Sequence, residues 1–274
     1  MSGAAPPVAR FHEEQAPAGW QTIDFISDLH LQASEPRTVR ALQDYLETTT
    51  ADAVFILGDL FEVWVGDDVA ALPGFEQDCA QLLRRAAGRR PLYFMVGNRD
   101  FLLDNGFLQA SGMQALDDPA VLTFAGERWL LTHGDALCLD DIAYQQFRLL
   151  VRNPAEQQAF LARSLPERVA LARALRSQSE ARKAAGTMEG FGDVDSGAAV
   201  AWLQATGART LIHGHTHRPA DHDLPAATTA TMTGGPTSTT PLRRIVLSDW
   251  DATASPPRAQ VLRLTAHGLE RINL

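Results

Sequence analysis

The sequence predicts an α/β fold: a layered β-sheet core flanked by helices, with a helical insertion near residues 142–197. Short apolar runs alternate with helical periodicity through the first half of the chain, polar segments stand directly behind those runs, and the alternation stops where strong helix formers take over.

The runs Ile23 to Ile26, Ala53 to Leu57, Leu92 to Val96, Trp129 to Thr132 and Thr210 to Ile212 are too short for helices and rich in β-formers, so they read as buried strands. Between the earlier ones, Thr38 to Glu47 and Phe75 to Ala87 repeat apolar positions every three or four residues, the period of a helix laid on a sheet. After Asp141, Ala, Leu, Arg and Gln dominate, with one break expected at Leu165-Pro166; this stretch reads as a helical lid over 142–197. Arg243 to Leu247 and Ala259 to Leu264 alternate like a closing pair of strands. Residues 1–19, rich in Ala, Pro and Glu, are expected to be a mobile leader before a domain over 20–274, and the Thr, Ala and Gly run of 226–241 a flexible loop.

Composition narrows the class of function. Of 274 residues, 45% are hydrophobic and 21% charged, the balance of a globular protein with a core large enough to carry an active site. No apolar run approaches the roughly 18 residues of a membrane span, and Met1 to Trp20 lack the apolar centre of a secretory signal, so a cytoplasmic location is expected. The net charge of -9 argues against binding a nucleic-acid backbone, an affinity that comes mostly from neutralised phosphates. Cys79 and Cys138 form no ligand motif and are expected to be ordinary thiols.

The chemistry stands behind the strands. Ser27-Asp28-Leu29-His30 follows the first, Gly58-Asp59 the second, Gly97-Asn98-Arg99-Asp100 the third, His133-Gly134-Asp135 the fourth, and His213-Gly214-His215-Thr216-His217 the fifth. Ligands of open α/β sheets bind at the carboxyl ends of strands, so these segments are expected to converge on one crevice. Each alone is weak, because Gly-Asp is an ordinary turn and a lone histidine is usually structural. Together their imidazole, carboxylate and amide oxygen donors suit Mn, Fe or Zn. Strand alternation would place Asp28 with His30, and His215 with His217, on one face. His213 is expected to be a buried histidine, and Asp135 and Asp100 to orient His133 and Arg99.

The ordered set Asp28-x-His30, Gly58-Asp59, Gly97-Asn98, His133 and Gly214-His215-x-His217 resembles the calcineurin-like metallophosphoesterases over residues 23–219. The longer words Gly58 to Asp68, Gly97 to Leu103 and His213 to Pro219 resemble the branch that cleaves the pyrophosphate of UDP-2,3-diacylglucosamine, a lipid A precursor. In that branch Arg99 stands where most of the superfamily has His.

This resemblance implies two Mn2+ ions, one held by Asp28, His30, Asp59 and His217, the other by Asp59, Asn98, His133 and His215, with Asp59 shared. It implies catalytic roles for Asn98, Arg99 and His215, and substrate contacts from these three and from Asp141, Ser179 and Lys183. At Lys183 and Gly186 the lid departs from the pattern of Asn and Lys usual there. The implied partners are a lipid-linked sugar nucleotide and the inner-membrane surface, met peripherally by a monomer. The motifs leave open a soluble phosphodiester or nucleotide as substrate, or a non-catalytic scaffold of the same fold.

Overall fold

A computed structural model describes residues 11–184, 192–225 and 241–274, and for 178–184 the backbone alone. In chain order the first half comprises β1 (His12–Gln15), β2 (Thr22–Ile26), α1 (Pro36–Thr48), β3 (Ala53–Leu57), α2 (Phe75–Ala87), β4 (Leu92–Met95), α3 (Asn105–Ser111) and β5 (Gln114–Ala115). The second half comprises β6 (Ala120–Phe124), β7 (Glu127–Thr132), α4 (Ile142–Val151), α5 (Pro154–Leu161), α6 (Leu165–Ala184), α7 (Ser196–Thr206), β8 (Thr210–His213), β9 (Ala220–Leu224), β10 (Leu242–Val246), β11 (Gln260–Thr265) and β12 (Gly268–Asn273).

The strands form two six-stranded sheets, ordered β1-β6-β7-β8-β10-β9 and β12-β11-β2-β3-β4-β5. Strand β3 shows why they stack. All five of its residues are buried; Ala53, Phe55 and Leu57 enter the core between the sheets, while Val54 and Ile56 face the helices. A strand covered on both faces reads as a continuous apolar run. The inter-sheet core joins these residues to Leu122, Trp129, Leu131, Ile212 and Ile245 of the other sheet. Helices α1, α2 and α3 cover one outer face and α7 the other, giving four layers.

Two expectations are corrected here. The leader does not extend to residue 19, because His12–Gln15 pair in parallel with β6; residues 1–10 lie outside the described ones. The two late strands do not close on each other: β10 lies beside β8, whereas β11 is antiparallel to β2 in the other sheet, with β12 as its hairpin partner. Alternation assigns a strand its faces but not its neighbour. The expected loop 226–241 lies outside the described residues up to 240.

The crossing of β11 beside β2 is tied by a buried carboxylate. Asp24 is fully buried and accepts from Tyr45 Oη (2.8 Å), Thr49 Oγ1 (2.8 Å), and Arg263 Nε and Nη2 (2.8 and 2.9 Å). Arg263→Met leaves that charge without its counter-ion, so we expect the unfolding free energy to fall by about 3 kcal/mol in a urea titration. A loss below about 1 kcal/mol would mean that the two hydroxyls satisfy Asp24 unaided.

Up to Ala184 the helical insertion has two breaks, where one was expected. Asn153 Oδ1 accepts from Ala155 N (2.9 Å) and Pro154 opens α5; Glu167 Oε2 accepts from Ser164 N (2.9 Å), the returning half of a capping box, and from Ser164 Oγ (2.6 Å) where α6 opens, with Pro166 in its first turn. Residues 196 and 197 already belong to α7, which buries Ala198, Ala199, Trp202 and Leu203 against the core. Helices α4 and α5 bury no residue completely. They are held mainly by polar anchors, with Phe160 packed at the edge of a core. Tyr144 Oη and Arg148 Nε donate to Asp135 (2.6 and 2.9 Å), Arg152 donates to Gly97 O (2.9 Å), Arg168 reaches Val65 O and Asp68, and Arg176 pairs with Glu62.

Candidate metal centre

All seven expected ligands meet at the strand ends, drawn from both sheets. Asp28 and His30 follow β2, Asp59 follows β3 and Asn98 follows β4; His133 follows β7, and His215 and His217 follow β8. The expected crevice is thus a seam between two sheets. Across it, His215 N donates to both oxygens of Asp28 (3.1 and 2.9 Å).

On one side His217 Nε2 lies 3.3 Å from Asp28 Oδ1 and 3.2 Å from His30 Nε2, with His30 Nε2 3.9 Å from Asp28 Oδ1. On the other, Asn98 Oδ1 lies 3.0 Å from His133 Nε2 and 2.8 Å from His215 Nδ1. Asp59 stands between, its Oδ2 3.9 Å from His30 Nε2 and its Oδ1 3.7 Å from His133 Nε2. Two triads, Asp28-His30-His217 and Asp28-Asp59-His133, bring their ligand atoms within 4.8 Å of one another.

Local backbone makes this possible by a route that strand alternation does not describe. Strands β2 and β8 end before the ligands, and Asp28, His30, Asp59, His215 and His217 all adopt left-handed backbone with φ between 48° and 68°. Side chains other than Gly or Asn pay on the order of 1 kcal/mol for that conformation, and such residues cluster where function demands them. Close approach is secured by glycine: a Cβ on Gly97 would overlap Asp59, and one on Gly214 would overlap Ser27 Oγ and Asp28.

Electrostatics point the same way. Burial would raise the Asp28 carboxyl, but its hydrogen bond to His217 and the nearby His133 and His30 hold it well below the usual carboxylate range. Burial would lower His133, yet Asp59, Asp28 and Asp135 outweigh it and push the imidazole up to about 9. His215 is lowered to about 3 by burial and by His133. The carboxylates therefore favour positive charge at His133, while His215 is held neutral. His30 Nδ1 lies 2.8 Å from Glu62 Oε2, a carboxylate that favours the tautomer with its proton on Nδ1, and Nε2 stands on the side of Asp28, Asp59 and His217. Lone pairs gathered around one point, from N and O donors, fit divalent metal ions.

A calcineurin-like phosphoesterase family model matches residues 21–219, which span this whole set. The chain belongs to that family. This calcineurin-like phosphoesterase is 50% identical over 202 residues, 73% of its length and 84% of the relative's, to a UDP-2,3-diacylglucosamine hydrolase of Chromobacterium violaceum. It is 42% identical to proteins of the same name from Bordetella pertussis, covering 90% of this chain and 93% of the relative, and from Xanthomonas oryzae pv. oryzae, covering 90% and 97%.

The remaining expected residues of the phosphoesterase fall as follows. Arg99 N donates to Asp59 Oδ1 (2.8 Å), and its side chain is partly exposed beside the ligands. Asp141 lies at the start of α4, where Oδ1 accepts from Tyr144 N (2.9 Å). Ser179 and Lys183 lie on the backbone of α6 with side chains outside those described, and Gly186 lies outside the described residues. His213 is fully buried, and burial lowers its imidazole to about 4. Asp135 and Asp100 do not orient His133 and Arg99 through their side chains. Asp135 accepts from Tyr144 and Arg148 of the lid, whereas Asp100 accepts from Leu60 N and Gly97 N (both 2.7 Å), joining the loops behind β3 and β4.

Sequence reasoning missed Glu62, Asp249 and Trp250. Asp249 Oδ2 stands 4.0 Å from His217 Nδ1 and is gripped by Arg258 (2.8 Å), and Trp250 N donates to Asp28 O (3.0 Å). Their segment follows β10, behind no expected ligand strand. Glu62 lay inside a quoted motif, but its spacing announced no partner.

Proposed function

We propose that this phosphoesterase hydrolyses the pyrophosphate of UDP-2,3-diacylglucosamine, with water attacking the α-phosphorus to give UMP and 2,3-diacylglucosamine 1-phosphate for lipid A biosynthesis. The observation that carries this reading is the identity of 42–50%, over most of both chains, to proteins named for that hydrolysis. We assign two Mn2+ ions, one to Asp28, His30, Asp59 and His217, the other to Asp59, Asn98, His133 and His215. Bound divalent ions supply Lewis acidity, which activates water near neutral pH and offsets charge on phosphoryl oxygens.

The chain's own residues do the rest. Asn98 and His215 line the face that meets the phosphoryl group, and the Arg99 guanidinium, always protonated, stabilises negative charge that grows on the phosphoryl oxygens as the P–O bond breaks. The bridging oxygen leaves on the sugar 1-phosphate, a stable anion that needs no proton. Asp141, Ser179 and Lys183 contact the sugar nucleotide from the lid. Ile142, Leu149, Leu150 and Leu175, each at least 50% exposed on α4 and α6, suit acyl chains and the surface of the inner membrane. Among the described residues no helix is long and apolar enough to cross a membrane, and we assign the contact as peripheral, from the cytoplasmic side. All seven ligands come from one chain, so a monomer completes the centre.

The test is mass spectrometry of products formed from acylated UDP-glucosamine in heavy-oxygen water by the Mn-loaded protein. The label is expected in UMP. Label in the sugar phosphate would move the attack to the other phosphorus, and equal cleavage of a soluble diester would end the lipid-specific reading.

A further inference from the structure

We propose that Glu62 is a positioning residue that couples metal binding at His30 to the docking of lid helix α6 through Arg176. The inference rests on the reading of His30 as a metal ligand and adds a residue and a coupling that the hydrolysis itself does not assign.

Glu62 lies three residues beyond Asp59 and is only 8% exposed. Its place is set by backbone. His30 N donates to Asp59 O (3.0 Å), Leu31 N to Leu60 O (2.9 Å) and Glu62 N to Leu31 O (3.2 Å), so the segments behind β2 and β3 are fastened together beside the centre. The two carboxylate oxygens then face different ways. Oε2 meets His30 Nδ1 at 2.8 Å, while Oε1 meets Arg176 and lies 4.0 Å from Arg99 Nη1. Arg168, a little over two turns earlier in α6, grips Val65 O and Asp68, so the helix runs along the same segment.

A carboxylate on Nδ1 fixes the imidazole ring and raises the basicity of Nε2, which is how partners behind a ligand tune a metal site. The same charge separates two guanidinium groups from the centre. Without it, the positive charge of Arg99 and Arg176 would lose the negative charge of Glu62 on the side of bound cations, which opposes both ion binding and docking of α6. A cation on Nε2 would draw the Nδ1 proton toward Glu62 and immobilise the carboxylate against which Arg176 docks. By linkage, whatever the ion does for α6, α6 does for the ion.

Two measurements on the full chain test this: calorimetric titration of the metal-stripped protein with MnCl2, and amide hydrogen exchange over the first three turns of α6 with and without Mn2+. For Glu62→Ala we expect Mn2+ affinity to fall about 10–100-fold, with Glu62→Gln in between, because its amide oxygen still accepts from His30 but carries no charge. In the unmodified protein Mn2+ should slow exchange in α6, and in Glu62→Ala and Arg176→Gln that slowing should vanish. Affinity within about twofold of the unmodified protein in Glu62→Ala, or undiminished slowing in Arg176→Gln, would overturn the coupling. Should Glu62→Ala fail to fold by circular dichroism, the Gln variants at 62 and 176 decide. Neither readout involves the sugar nucleotide. Intact coupling with no hydrolysis of acylated UDP-glucosamine would therefore sink the functional reading alone, and intact hydrolysis with no coupling would sink this proposal alone.

Discussion

Asp59→Ala is expected to lower turnover of acylated UDP-glucosamine by about 10⁴-fold, the consequence of losing several kcal/mol of charge stabilisation at once. Asp59 is the carboxylate that faces both halves of the centre, with His30 3.9 Å from one oxygen and His133 3.7 Å from the other. Its removal takes a donor from both proposed ions. The fold should survive, since Asp59 lies beyond the end of β3 and outside the apolar clusters. Asp59→Asn is the sharper companion: it keeps the acceptor for Arg99 N but not the charge. The checks are turnover, manganese content by elemental mass spectrometry and thermal unfolding by circular dichroism. An Asn variant that turns over near the normal rate would refute the shared ligand. Asp28→Asn should be run beside it, because Asp28 belongs to both triads.

Arg99→Ala is expected to cost about 10²–10³-fold in kcat with manganese content unchanged, the usual consequence of deleting one donor aimed at transition-state charge. The guanidinium stands beside the ligands without being one. Its backbone is held from both directions, N by Asp59 and O by Trp64 N (3.1 Å), so truncation should leave the loop in place. Among the described residues its Nε is buried without a hydrogen-bond partner, a donor left for something that arrives. A change in KM with kcat preserved would assign Arg99 to ground-state binding instead.

The metal centre was legible because its chemistry is written in short local words, each behind an apolar run. Residues such as Asp59 and His215 have few reasons to recur in that order. The backbone that aims them was not legible: left-handed geometry at Asp28 and His30 leaves no mark in a period-two pattern, and alternation proposed the right convergence for the wrong reason. Long-range partners were equally silent. Asp24 with Arg263 and His217 with Asp249 are joined by the fold across many residues, with no spacing to announce them. The placement of β11 beside β2 belongs to the same class, since the partner of a strand is chosen by the whole sheet. In the lid, helix propensity was enough to find helices, but caps such as Ser164 with Glu167 divided them where a single proline had been expected to.

Since three ligand segments hang from one sheet and two from the other, the distance between donor atoms is set by residues that never touch them. The stacked rings of Phe55 and Tyr93, 4.4 Å apart within the inter-sheet core, act as part of a ruler. Thinning that filling by a methylene or two would let the halves slide and detune the spacing of the donor atoms, making some of the most remote apolar positions in this chain ones to which the proposed catalysis is sensitive.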